Sequence, residues 1–284
     1  MIIDCHTHIF PDKIRRDRNA ICHRDEGFAS IYKDSRAKMM GVEELIASMD
    51  EAEVERSVVC GFSWGRPDLC SLHNDYLIEA VSRYPHRLIA FISLLPSDPD
   101  WSGRALEQGV KAGAKGAGEV AFYHQEMTIQ DISMMKPLLL MMEKQGIPVL
   151  LHTNERLGHA YPGKGMTPVE RFYEIVLAHP QLPIVLAHWG GGLLFYELMS
   201  EVAKRMVNVY YDTAASPFLY SKRIYHVASE IVGAEKILFG TDFPLIPPRR
   251  YFQELEASGL SVEDRKKILG LNLSRLLKLA GEAA

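Results

Sequence analysis

A (β/α)8 TIM barrel is the fold that this sequence predicts, on three observations. Short β-branched runs alternate with amphipathic helical stretches, which implies parallel strands joined by right-handed crossovers. The alternation repeats eight times over 284 residues, close to the usual barrel size of about 250 residues. The first run is followed by His6-Thr7-His8, where an open doubly wound sheet would normally carry a glycine-rich phosphate turn.

The elements follow in order. Strand one is expected at Ile2–His6, then a long insert at Ile9–Gly41 and a helix at Val42–Ala52. Strand two at Ser57–Gly61 leads into a helix at Leu72–Tyr84, and strand three is expected at Leu88–Leu94. Strand four, Ala114–Val120, precedes a helix at Ile129–Lys144; strand five, Ile147–His152, precedes one at Pro168–Ala178. Strand six at Ile184–His188 and strand seven at Asn208–Asp212 follow, then a helix at Phe218–Val232 and strand eight at Ile237–Thr241. Helices from Val262 to Leu279 close the chain, and residues 1–284 are expected to form one domain. Apolar residues recur at three- and four-residue steps in the helical stretches, as a single buried face requires. Gly146 and Pro180 stand just past two of them, where such residues stop helices.

Composition bounds the function. Hydrophobic residues make up 47% and charged residues 24%, the range of a globular chain and not a disordered one. The 32 basic and 36 acidic residues leave a net charge of −4, which argues against nucleic acid as a partner. Cys5, Cys22, Cys60 and Cys70 form no CxxC pair and read as reduced thiols. The N-terminus lacks a basic, then apolar, secretory signal. The most apolar stretch, Leu138–Leu151, is interrupted by Glu143, Lys144, Gln145 and Pro148, so no membrane span is expected. The expectation is a soluble, cytoplasmic protein with a small-molecule substrate and no membrane or nucleic-acid partner. Homo-oligomerisation stays open, with the apolar Met134–Met142 stretch serving either core or interface.

Active-site groups of a barrel sit at the C-terminal ends of its strands. Those ends carry His6 and His8, Glu119, His152, His188 and Asp242. Residues i and i+2 share one side of a strand, so two imidazoles of strand one can converge on one ion. The bland alternative is a set of hydrogen-bonded structural side chains, and a lone HxH is a weak signal. Six such groups around one rim favour a divalent ion, because burying them unpaired would cost several kcal/mol.

The segments DCHTHIF, LLHTNE, LAHWGG and FGTDFP resemble the strand-end motifs of the amidohydrolase superfamily. They are most similar to its amidohydrolase-related group of metal-dependent hydrolases and aminocarboxymuconate-semialdehyde-type decarboxylases. The closing ILGLNLSRLLKL resembles that group's last helix. The resemblance implies a barrel with metal at its mouth, His6, His8, His152 and Asp242 as ligands, and His188 as the sixth-strand histidine. On strand four, GAGEV resembles the glutamate-bearing strand of TatD-like members, whereas Lys115 lies too deep to serve as a carboxylated bridge. Glu119 is expected either to ligate, allowing one or two ions per chain, or to orient a ligand histidine. Zn²⁺ is the expected ion.

A bound ion makes hydroxide available near neutral pH, with Asp242 as general base and His188 as a ligand or a donor to the developing oxyanion. Hydrolysis of an amide, ester or lactone is therefore the leading expectation. The alternative is non-oxidative decarboxylation at one metal, with Arg15, Arg16, Arg18 or Arg24 of the insert holding a substrate carboxylate. A metal-binding module without turnover would leave Asp242 and His188 without a role. His159, Tyr161 and Lys164 of the loop after strand five are expected to reach substrate, or to form a solvated turn at Pro162-Gly163. Trp189 and Trp64 either wall the pocket or pack. Asp4 is either a hydrogen-bonded core carboxylate or a partner that orients a ligand, and Asp212 reads as a supporting carboxylate. His23, His73, His86, His124, His179 and His226 are given no role.

Overall fold

The computed structural model describes residues 1–123 and 125–279, so His124 lies outside the described residues. Eight parallel strands form one sheet in chain order: β1 (Ile3–His8), β2 (Arg56–Cys60), β3 (Leu88–Ile92), β4 (Gly116–Val120), β5 (Val149–Leu151), β6 (Ile184–Leu186), β7 (Val209–Asp212) and β8 (Ile237–Leu238). The last strand is too short to close the barrel alone. Three bonds to β1 seal the seam: Cys5 N–H to Phe239 O, His8 N–H to Phe243 O (both 2.8 Å) and Asp242 N–H to His6 O (2.9 Å). The fold is the expected (β/α)8 barrel.

Differences from the expected elements cluster where polar residues interrupt the pattern. β1 extends to His8, and its pairing with β2 gains one residue between Asp4 and Thr7. Such a bulge reverses side-chain parity. Ile3 and Cys5 thus belong to the interior cluster, yet His6 and His8 face each other at the mouth. His152, His188 and Asp242 lie just past β5, β6 and β8 instead of within them. An unexpected helix, Pro99–Lys111, follows β3; Asp98 caps it by accepting from Trp101 N–H at 2.9 Å. The expected Phe218–Val232 helix divides into Ser216–Leu219 and Ile224–Val232, because Tyr220 is extended. The insert folds as three short helices, Asp12–Arg16, Arg18–Cys22 and Glu26–Tyr32.

Local signals explain the rest. The helix Ile129–Gln145 starts at a Thr128–Asp131 capping box and ends at Gly146, whose φ is 64°; both are favoured terminators. Its Met135, Leu138, Leu139 and Met142 are buried in the layer between strands and helices. Inside the barrel, Val58, Ile89, Phe91, Leu150 and Val185 pack with Leu273 and Leu277 from the closing helices. Gly270 approaches Met1 and Ile3, so these helices plug the bottom of the barrel and leave the opposite end for polar groups. Insert residues Phe10, Phe28 and Tyr32 pack with Phe62 and Trp64 as a third cluster. Among the described residues no helix is long and apolar enough to cross a membrane.

Candidate metal centre and active site

Glu119 is the hub of the mouth. Its Oε1 accepts from His152 Nδ1 at 2.9 Å and its Oε2 from the Tyr123 hydroxyl at 2.9 Å. His6 Nε2 and His188 Nε2 stand 3.6 and 3.7 Å from Oε1, and His8 Nε2 stands 3.7 Å from Oε2. Asp242 Oδ1 faces His8 at 3.5 Å and His6 at 3.8 Å. β4 carries Glu119 past a one-residue irregularity between Ala117 and Val120. Gly118 makes that possible: its φ is 129°, and a β-carbon there would stand 2.5 Å from the Leu150 carbonyl oxygen.

Asp212, at the end of β7, orients two of the rings' segments. Its Oδ2 pairs with His6 Nδ1 at 2.7 Å, while Oδ1 accepts from the backbone N–H groups of His188 at 2.7 Å and Ala214 at 3.0 Å. His188 Nδ1 donates to the Ala214 carbonyl at 3.0 Å. Left-handed backbone at His188 (φ 55°), Ala215 (56°) and Asp242 (58°) gathers around the same opening. Each such residue stores about 1–3 kcal/mol, a cost usually confined to functional sites. Asp4 sits beneath and accepts from His6 N–H and from Thr241.

These contacts set the chemistry. Nδ1 of His6 and of His188 each donates to an acceptor, so the neutral rings turn lone pairs at Nε2 towards Glu119. Acceptors facing acceptors call for positive charge. Burial opposes protonating His6, but Glu119 and Asp212 outweigh it and raise its pKa to about 10. Burial, then His6, lowers that of His8. Burial likewise opposes the charged form of His188, yet Glu119, Asp242 and Asp212 raise it to about 9. Burial would raise Glu119, but His152 and His6 hold its carboxyl well below the usual range.

The spacing fits a divalent ion. Two ligand atoms about 2.1 Å from one ion stand about 3.0–3.5 Å apart at ordinary coordination angles. His6 Nε2 and His8 Nε2 are 3.0 Å apart and Asp242 Oδ1 is 3.5 Å from His8, within that range, while the Glu119 separations and that of Asp242 to His6 lie just beyond it. His6, His8 and Glu119 form one donor triad, and Glu119, His152 and His188 a second. His152 is the less suited to ligation, since its Nδ1 faces Glu119 and its Nε2 faces the Gly163 carbonyl at 3.2 Å. A neutral ring keeps one lone pair, so with Nδ1 donating to Glu119 the Nε2 would have to turn from the Gly163 carbonyl to meet an ion.

A cavity of about 870 Å³ opens above these groups. Tyr32, Phe62, Tyr123, Tyr161, Phe218 and Phe243 wall it, and His159, Arg36 and Lys38 also line it. Of the expected substrate residues, His159 and Tyr161 are therefore in place, and two are not. Lys164 turns back on its own loop, donating to the carbonyls of Leu157 (2.6 Å) and His159 (3.0 Å). Trp189 is fully buried away from the cavity, its indole N–H on Ser216 Oγ at 2.9 Å. Trp64 also packs, against Phe28 and His73.

The expected carboxylate-holding arginines are engaged elsewhere. Arg15 pairs with Asp12 and Glu44, Arg24 with Asp68, and Arg18 with the carbonyls of Asp34, Ser35 and Ala37. Arg16 is exposed outside the cavity lining. Sequence reasoning missed Tyr32, Phe62 and Tyr123, whose contacts depend on loops meeting in space. Lys115 is exposed and precedes β4, away from the mouth.

A barrel with a histidine–carboxylate mouth defines a class, and the family model described as Amidohydrolase matches residues 3–279. The chain belongs to that family and is an enzyme. It is 25% identical over 302 residues to a gamma-resorcylate decarboxylase of Rhizobium radiobacter, covering 88% of each chain. A 2,6-dihydroxybenzoate decarboxylase from Rhizobium superposes with a TM-score of 0.74 at 20% identity, covering 99% of both chains. A 5-carboxyvanillate decarboxylase from Novosphingobium aromaticivorans, complexed with manganese and 4-hydroxy-3-methoxy-5-nitrobenzoic acid, superposes at 0.80 with 18% identity, covering 98% of this chain and 96% of that one. These two structures confirm the fold. The relatives overturn the expectation of a hydrolase, because the enzymes this chain matches along most of its length are decarboxylases. The hydrolytic expectation arose because the residues that activate water at a metal also serve a reaction that needs no water.

Proposed function

We propose that the protein is a metal-dependent, non-oxidative decarboxylase of a hydroxylated aromatic carboxylic acid. The match to gamma-resorcylate decarboxylases along 88% of the chain carries this reading. The aromatic-walled cavity above the donor set supports it, since it suits a flat, anionic ring. His6, His8, Glu119 and Asp242 would hold one divalent ion, with His152 and His188 flanking them. Manganese replaces zinc as the first candidate, because it is the ion in complex with the 5-carboxyvanillate decarboxylase. When bound, such an ion would supply Lewis acidity that holds the substrate's oxygens and favours its phenolate form.

The chain's residues do the rest. Asp242, whose side chain is 22% exposed, is the accessible carboxylate of the mouth and relays a proton taken up from solvent. It delivers that proton to the ring carbon bearing the carboxylate. The C–C bonding pair then returns to the ring, restoring aromaticity, and CO₂ leaves. His188, anchored to Ala214, faces Glu119 and keeps the donor set in register. Tyr32, Phe62 and Phe243 hold the ring flat and exclude water.

Manganese-loaded protein incubated with 2,6-dihydroxybenzoate and with 5-carboxyvanillate should release one CO₂ per acid consumed. Asp242→Asn should slow turnover by about 10²-fold or more. Absence of CO₂ from a panel of hydroxybenzoates would remove the proposal.

A further inference from the structure

Tyr123 stands where three features of the site meet. Its hydroxyl donates to Glu119 Oε2 at 2.9 Å. Its ring stacks on Phe62, with centroids 5.2 Å apart and planes at 20°, and meets His152 edge-on at 5.1 Å. Phe62 in turn packs into the aromatic cluster of the insert, 6.1 Å from Phe10 and 5.7 Å from Phe28. The ring is therefore held from behind by the insert while its hydroxyl reaches the hub carboxylate.

Glu119 needs such a partner. A glutamate side chain swings freely about its last bond, and this one faces three imidazole nitrogens at 3.6–3.7 Å. Two groups donate to it at hydrogen-bond distance: His152 on Oε1 and Tyr123 on Oε2. Together they fix the carboxylate plane, so that Oε1 is directed to His6 and His188, and Oε2 to His8.

We infer that Tyr123 is a positioning residue for the metal centre, locking Glu119 in its ligating orientation and coupling that orientation to the aromatic cluster of the insert. This rests on the reading of Glu119 as a metal ligand. Partners of this kind typically change metal affinity by about 10–100-fold when removed. Tyr123 also lines the cavity, so a substrate contact is the competing role, and metal binding in the absence of substrate separates the two.

The test is Mn²⁺ affinity of metal-depleted full-length protein, measured by competition with a chromogenic chelator. Tyr123→Phe keeps the ring and its stacking but deletes the hydroxyl; an unshifted thermal melt of the metal-free protein verifies the fold. Its Kd for Mn²⁺ should rise by about 10–100-fold, and the electron paramagnetic resonance lines of the bound ion should broaden as the site loses order. In a Glu119→Gln background the same substitution should have less than a twofold effect, because it acts through that carboxylate. Unchanged Mn²⁺ affinity in Tyr123→Phe, with or without a raised KM, overturns the inference while leaving the decarboxylase reading intact. Wild-type protein that binds no Mn²⁺ brings down both. Loss of affinity in Tyr123→Phe, in a protein that releases no CO₂, upholds the inference and removes only the decarboxylase.

Discussion

Asp212 and His73 illustrate how single residues prepare the site from outside it. Asp212 spends one oxygen on His6 and the other on two backbone amides, so one carboxylate fixes a ring tautomer and the sharp turn at His188. His73, given no role by sequence reasoning, donates from Nε2 to the Ile9 carbonyl at 2.7 Å and accepts at Nδ1 from the Trp64 indole at 3.1 Å and Phe62 N–H at 3.3 Å. It stacks on Phe10 and ties the insert's aromatic cluster to the chain just past β1. Burial lowers its pKa from the usual 6.5 to about 4, since a second ring proton would confront two donors. A pKa lower in the folded than the unfolded chain contributes stability in full above pH 6.5, and that contribution fades as pH falls towards 4. The loss amounts to about 3 kcal/mol. Urea unfolding of wild type and His73→Gln at several pH values should show a steeper acid loss in wild type. Parallel pH profiles would dismiss this role.

At the scale of elements, β4 shows why strand ends carry function. Its irregularity lets Glu119 reach the mouth, and Gly118 alone satisfies both the left-handed backbone and the contact with β5. Gly118→Ala should destabilise the fold by about 2–5 kcal/mol through combined strain and overpacking. Gly113→Ala is the comparison, because its φ is 100° but nothing lies within 4 Å of the added carbon; it should cost about 1–2 kcal/mol. Equal losses in denaturant melts of the two variants would show that contact with Leu150 is unimportant. Element boundaries were legible to within a few residues wherever apolar periodicity was long, as in Ile129–Gln145. The helix Pro99–Lys111 was missed because its apolar positions are sparse among Asp100, Arg104, Glu107 and Gln108. The bulge in β1 left no periodic trace, because one extra residue in a six-residue strand is invisible without its partner.

The whole molecule divides its ends between two tasks. The closing helices plug the bottom with Leu273 and Leu277, and the mouth gathers Glu119, Asp212 and Asp242 with four imidazoles. These carboxylates draw positive charge, from protons on His6 and His188 or from a cation, so metal binding and stability are linked. Mn²⁺ at about a hundred times its Kd should stabilise the native protein by about 2.7 kcal/mol, a rise in Tm of about 5 °C. Scanning calorimetry of chelator-treated and Mn²⁺-supplemented protein measures it. A Tm indifferent to the ion would argue that these groups are satisfied by one another.

Barrel class, strand order and the six mouth residues His6, His8, Glu119, His152, His188 and Asp242 could be read from one dimension, because periodicity and strand-end position are properties of neighbours along the chain. The cavity wall could not. Tyr32, Phe62 and Tyr123 come from a helix of the insert and from the segments after β2 and β4, and whether Trp189 or Lys164 points in or out depends on which partners fold beside it. Ser216 claims the indole and two loop carbonyls claim the ammonium. Side-chain direction in irregular segments is settled by long-range packing and hydrogen bonding, and no local pattern encodes it.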